Sequence, residues 1–557
     1  MRFTCRHSAD ILLRVRRTAI LSLLALTSFA ASPLRAQCGA VLSDTSDTPA
    51  LVRIGSLTDD SRRIAEDVGQ YSTAGSLIRS TASLAPALPG TKALRWVPVP
   101  VVEQATWNSS IPYSWNDGAQ WAGRGLTNTI SGGVRAEYGP LSANFAPEIV
   151  YEQNRPFQFI RARTIGRSAY SSPWHGGVES MDLPLRFGDQ AITQVDPGDS
   201  WIELRKHGLA AGASTDEQWW GPGIRNAIVL SDNAAGIPQV YLRSARPIAT
   251  PLGQIEFRWE LGGLTESAFF DTTSTNNVRA FNALILTLRT AFDTGLTVGV
   301  SRAVYSPVTG VAGLIGHTID VFTRWNEVSN ITSPSPANPN DQILSLFTRW
   351  VVPDAGVELY GEWATLFAPG LRELLVDPYR HQGYTLGFQW VHKRQADPGL
   401  RVQAEATMLE QTPPALVTVT PIFYTSRVIP QGYTQRGQII GAAVGPGGSS
   451  QWIAADWLRP GWRAGLFVQH MRVEDEVQYL QPNGGNSRHD ASIASGVRGA
   501  YEWRSFEFSG ELSVQRRLNY LFQSDAFNPG DVPTVNAIDV QNTTVSLTVS
   551  RRLPLPH

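Results

Sequence analysis

Three stretches gather the side chains that handle sugars. They are Trp219-Trp220-Gly221-Pro222-Gly223-Ile224-Arg225-Asn226, Trp115-Asn116-Asp117 with Arg124 beyond it, and Gly432-Tyr433-Thr434-Gln435-Arg436. Aromatic faces pack on the apolar C–H faces of sugar rings, amides bond hydroxyls, and guanidinium forks pair with acidic groups. Trp219, Trp220, Arg225, Asn226, Trp115, Asn116, Asp117, Arg124, Tyr433 and Arg436 are therefore the candidate polysaccharide contacts. Each has a plainer role open to it. Trp219 and Trp220 fit an aromatic girdle at a membrane boundary equally well. The Gly-Pro-Gly runs suit loops that fold into a barrel lumen, which we favour over direct ligand contact. For Arg124, Arg225 and Arg436, salt bridges to lumen carboxylates are favoured over ligand binding.

Catalytic constellations are sparse. His175, His207, His317, His381, His392, His470, His489 and His557 are scattered without metal-ligand spacing, and no Gly-x-Ser-x-Gly elbow occurs. Glu358, Glu362 and Glu405 have the chemistry of a glycosidase acid–base pair, but balancing lumen arginines is the better reading. The chain is expected to be no enzyme and to need neither cofactor nor metal.

What positions these loops is a long series of alternating strands. In 254–263, Ile255, Phe257, Trp259 and Leu261 fall on one face and Gln254, Glu256, Arg258 and Glu260 on the other. Phe506, Phe508, Leu512 and Val514 oppose Glu507, Ser509, Glu511 and Gln515. Val357, Leu359 and Trp363 oppose Glu358, Tyr360 and Glu362, while Val545, Leu547 and Val549 oppose Thr544, Ser546 and Thr548.

The strands expected are 96–108, 128–139, 141–152, 200–207, 209–218, 238–247, 254–263, 279–292, 296–304, 342–352, 355–366, 381–393, 400–411, 450–458, 462–472, 492–503, 506–517 and 537–552. Short turns such as Gly139-Pro140, His207-Gly208 and Pro353-Asp354 alternate strictly with long connections: 109–127, 153–199, 219–237, 264–278, 305–341, 367–380, 412–449, 473–491 and 518–536. An even strand number with short turns at one end and long loops at the other is the plan of a transmembrane outer-membrane antiparallel β-barrel, here of about 18 strands. No fixed-period repeat favours a propeller or β-helix. The ending Arg551-Arg552-Leu553-Pro554-Leu555-Pro556-His557 lacks the terminal aromatic residue common in such barrels.

Arg2, Arg6, Arg14, Arg16 and Arg17 precede an apolar run from Thr18 to Ala31, then Leu34-Arg35-Ala36 before Gln37. That is a secretory signal peptide over 1–36; the run is short of the ~20 residues of a spanning helix. Cys5 leaves with it, so Cys38 has no intramolecular partner. Residues 37–95 are polar and irregular, a small periplasmic segment. Thr58-Asp59-Asp60 can cap a short helix carrying Ile64 and Val68, and a link through Pro86 and Pro89 follows. The barrel occupies 96–557. The chain has 557 residues and a formal net charge of −1, which gives no basic surface for nucleic acid.

Several motifs resemble the Wzi family of capsule-assembly outer-membrane proteins. They are the Trp219–Asn226 stretch, Leu230-Ser231-Asp232-Asn233-Ala234, the run from Ala245-Arg246-Pro247 to Thr250-Pro251-Leu252-Gly253, Trp115–Ala119 with Gly123-Arg124-Gly125, Gly139-Pro140-Leu141, Pro147–Asn154, Tyr360–Trp363, Gly383–Gly387, Gln431–Gln438 and Gly445-Pro446-Gly447. The likeness runs from about 96 to 460. It implies an 18-stranded barrel with a small periplasmic N-terminal part that helps attach capsular polysaccharide to the cell surface. The expected partners are surface polysaccharide and outer-membrane lipid, with a monomer favoured. The alternatives are a porin-like channel for small solutes and, less favoured, an outer-membrane hydrolase.

Overall fold

The computed structural model describes residues 51–551 apart from 86–92, 176–178, 325–338, 367–371, 373–375, 377–381, 395–396, 411–421, 478–488 and 523–538. The signal peptide, the Pro86–Pro89 link, most of the 367–380 loop and the C-terminal Arg552–His557 lie outside the described residues.

Each strand pairs antiparallel with its neighbour in sequence, and Val102–Asn108 closes the ring on Thr544–Ser550. The result is a closed 18-strand antiparallel barrel. The alternation works as its chemistry requires. Leu359, Leu512, Val514 and Leu547 are exposed on the outer wall, while Glu358, Tyr360, Glu362 and Gln515 are buried inside. No described helix is long and apolar enough to cross a membrane; the strands do so, because a closed barrel satisfies every backbone group within its wall.

The strand reading departs from the structure where proline or an inward turn intervenes. The expected strand 141–152 breaks into Leu141–Phe145 and Glu148–Glu152 around Ala146-Pro147. Its neighbour begins earlier than expected, as Ile192–Asp196, and resumes after Pro197-Gly198 as Trp201–Lys206. Proline removes a ladder donor, so both breaks sit side by side, bridged by Ala146 and Gly198. The 209–218 strand ends at Ser214, and the partner segment Gln239–Ser244 is equally short; each has 6 residues, against 13 for Gly253–Thr265. Beyond Ser214 the chain leaves the wall and enters the lumen.

The N-terminal segment lies in the same lumen, at the short-turn end. Helix α1, Leu57–Asp67, is capped by Ser56, whose hydroxyl accepts from the Asp59 N–H at 3.3 Å, rather than by Thr58-Asp59-Asp60. Ile64 and Val68 pack on Val391 and Leu458 of the wall, so the spacing of four does mark the buried face. Gly69 approaches Pro353, and the Thr73 hydroxyl donates to the Thr294 carbonyl at 3.4 Å, both in short turns. Ile78–Ser80 pairs with Gln218–Trp220, joining this segment to the inward loop.

A cysteine at Ile165, which is fully exposed in a long loop, should react with an impermeant thiol reagent on intact cells in a Cys38→Ser background. One at Asp354, in a short turn, should not. The reverse labelling pattern would invert the barrel.

Candidate functional site

The stretch 215–237 reaches the middle of the lumen because carboxylates on the wall receive its backbone. Glu405 accepts from the N–H groups of Ile224 at 2.6 Å, Arg225 at 3.0 Å and Asn226 at 2.9 Å, and from the Tyr360 hydroxyl at 2.8 Å. Three successive amides converging on one anion form a small concave nest. Glu362 accepts from the Ile228 N–H at 3.3 Å and the Ser345 hydroxyl at 2.7 Å. Of the three glutamates expected to balance arginines, only Glu358 does so, with Arg63 and Arg349. The glycines are sterically required. A Cβ on Gly223 would lie 1.9 Å from the Asn226 carbonyl oxygen, and Gly221 holds φ at 99°.

Burial follows. Trp219 is 3% exposed and Trp220 1%; their indole N–H groups donate to the Gly223 carbonyl and the Gln218 side chain, each at 3.0 Å. Asn226 is wholly buried, accepting from the Val444 N–H at 3.3 Å. Tyr433 is also buried, donates to the Val229 carbonyl at 2.7 Å and stacks on Tyr424. Trp220, Ile228, Tyr424 and Tyr433 join inward wall residues such as Phe281, Ile285 and Phe347 in one apolar core. On this side the lumen is filled like a protein interior.

Across the lumen a cavity of about 460 Å³ remains. It runs between the N-terminal segment and the wall strands Arg95–Asn108, Phe506–Leu518 and Val540–Arg551, beside a smaller chamber of about 240 Å³. Five expected contacts, Trp115, Asn116, Asp117, Arg225 and, with little of its surface exposed, Trp219, line it together. The Arg225 guanidinium sits over the Trp115 ring at 5.2 Å and the Trp452 ring at 5.5 Å, and it makes no ion pair among the described residues. Trp115 Nε1 and the Asn116 amide donate to the Arg225 carbonyl at 3.1 and 2.9 Å. Asp117 accepts from Gln104 at 3.0 Å and from the Ser114 hydroxyl at 2.9 Å. Burial would raise the Asp60 carboxyl, but Arg401, Arg463 and Arg498 outweigh it and hold Asp60 well below the usual carboxylate range. The Asp232 carboxyl, in the inward loop, is pushed up to about 8, first by burial.

Arg436 pairs with Asp196 as expected of a lumen arginine. Arg124 spends its guanidinium on carbonyls instead, donating to Ser109 at 3.1 Å and to Pro156. It thereby tethers the start of the long loop 153–191, whose rings the sequence reading passed over. Half-buried Trp121, Phe157, Phe159, Tyr170, Phe187 and Phe269 form a continuous strip with centroid separations of 5.1 to 6.1 Å. These residues are scattered over nearly 150 positions, so spacing gave no signal. Arg161 lies 5.2 and 5.4 Å over Phe159 and Tyr170, and Arg186 5.7 Å over Phe157. The Asp189 carboxyl between them is held below its usual range by the Tyr170 hydroxyl, and further by Arg186 and Arg161.

Residues 109–527 match the family model described as capsule assembly protein Wzi. The fold is similar to that of Wzi from Escherichia coli, described as an outer-membrane protein involved in group 1 capsule assembly and a carbohydrate-binding β-barrel. The identity is 12% and the TM-score 0.52, covering 82% of this chain and 85% of that one. Two Pseudomonas aeruginosa barrels are more distant. OccK2 has 11% identity and TM-score 0.39 over 83% of this chain and 98% of its own; OccD3 has 11% and 0.41 over 86% and 98%. No curated protein matches the sequence.

Proposed function

Because this chain belongs to the Wzi family of capsule assembly proteins, we propose that it is an outer-membrane barrel that binds surface polysaccharide and retains it at the cell during capsule assembly. The family match carries the reading, and the filled lumen favours retention over passage. Loop 215–237 and the N-terminal segment meet inside the barrel at the Ile78–Trp220 pairing, where a porin would keep an aqueous channel. The proposal assigns no reaction. Glu358, Glu362 and Glu405 are already committed to arginines and backbone amides, which leaves none poised as a glycosidase pair.

In this reading residues 1–36 are removed as a signal peptide, 37–95 contribute the segment that enters the lumen, and a monomer suffices. Trp115, Asn116, Asp117 and Arg225 are the expected contacts best placed to meet a ligand from the cavity. Trp219, Trp220, Asn226 and Tyr433 serve by building the scaffold that holds them, and Arg124 and Arg436 by anchoring loops.

Deleting the gene should shed polysaccharide into the medium while total synthesis stays unchanged. Cell-bound polysaccharide undiminished in the deletion strain would remove the function.

A further inference from the structure

We propose that the aromatic strip along loop 153–191, with Trp121 and Phe269, is the polysaccharide contact surface and that its ligand is acidic, a polymer bearing uronate or comparable carboxylate groups. The proposal rests on the retention reading above and adds a place and a ligand class to it. Three observations converge. Six half-buried rings run side by side at the long-loop end, and each leaves ring surface on which a sugar's C–H face can pack.

The charge on the same loop is mainly basic. Arg155, Arg161, Arg163, Arg167 and Arg186 stand against Asp189 and two buried carboxylates, Glu179 paired with Arg427 and Asp182 accepting from Ser267. Arg155 is exposed with no carboxylate partner among the described residues, and the Arg161 side chain is 54% exposed.

Asp189 shows the chemistry at work. Its carboxylate, 47% exposed, receives the Tyr170 hydroxyl, Arg186 at 2.6 Å and Arg161 at 3.8 Å. A sugar carboxylate arriving beside the strip meets Arg161, held only loosely by Asp189 at 3.8 Å, and the uncommitted Arg155. Guanidinium forks recognise carboxylates in this way, and the rings add contact that tolerates variation in the sugar. The surface therefore distinguishes acidic from neutral polymers by charge.

The test uses the full-length protein in detergent, with alginate as an acidic probe and dextran as a neutral one. Wild type should bind alginate, more weakly as salt rises, and should ignore dextran. R155E/R161E should weaken alginate binding by about tenfold or more per arginine. F157A/F159A should weaken it as well, with heat-modifiable migration kept as proof of folding. In cells, R155E/R161E should shed polysaccharide as the deletion strain does. Folded variants that bind alginate and retain polysaccharide like wild type would exclude the strip while leaving the retention function intact. Wild type that binds dextran equally, or binds neither probe, would overturn the acidic assignment. A deletion strain that sheds nothing would instead fail the retention reading itself.

Discussion

Glu358→Ala should loosen helix α1 on the wall while the barrel stays closed. Glu358 is wholly buried; it accepts from Arg349 at 2.8 Å and, twice, from Arg63 of α1. Arg349 keeps Glu66 at 2.5 Å and Asp67 at 3.5 Å when Glu358 is lost, but Arg63 keeps the carbonyls of Pro222 and Gly223 and the Tyr360 ring at 5.3 Å, with no carboxylate. Removing one partner of a buried pair leaves the other charge uncompensated and costs about 3–5 kcal/mol. The wall does not depend on it, since Val357–Thr365 is laddered on both sides by backbone bonds. Amide exchange in Leu57–Asp67 should therefore speed up by about two to four orders of magnitude, and exchange in the strand should hold. Unchanged protection of α1 would show that the pairs to Glu66, Asp67 and Asp60 hold it without Glu358.

The second large effect is expected from Trp220→Ala. Trp220 is 1% exposed, belongs to the core shared by loop and wall, and donates to Gln218. Emptying such a site costs about 3–5 kcal/mol, and here it also loosens the pairing of Gln218–Trp220 with Ile78–Ser80. Wild type should be silent in planar bilayers. The variant should show flickering conductance and a lower temperature for heat-modified migration, and Trp220→Phe, which keeps most of the ring volume, should fall between. Normal stability and silence, with polysaccharide retention lost, would mean instead that Trp220 stacks on sugar.

The wall was legible because facing alternates locally: each strand announces its own two surfaces, and Trp462–Arg472 agrees to the residue. Ser56-Leu57-Thr58-Asp59 also carried the helix start, as a hydroxyl followed three residues later by an acid; placing the cap two residues late missed it. Destinations were partly legible. The Gly221-Pro222-Gly223 run marked a loop that folds into the lumen, as it does, but nothing local showed that Glu405, some 180 positions away, receives it. Glu362 and Glu405 looked like partners for arginine because a sequence does not show that curled backbone offers cheaper donors at the same place. The strip from Trp121 to Phe269 required tertiary folding to exist at all.

The short strand Leu209–Ser214, beside the equally short Trp201–Lys206, has a consequence for the surrounding lipid. At about 3.4 Å per residue and a tilt of about 40°, Leu209–Ser214 rises only about 15 Å, while Gln239–Ser244 is continued along Gly253–Thr265 by Ile248–Thr250. Barrels of this kind ordinarily present an apolar band about 25 Å tall. A bilayer meeting this flank must thin locally or the barrel must lean toward it, each at a fraction of a kcal/mol per Å of mismatch. Acyl-chain length thus becomes a variable for this protein: short-chain lipids match the low flank and hold the barrel upright, whereas thick bilayers tip it.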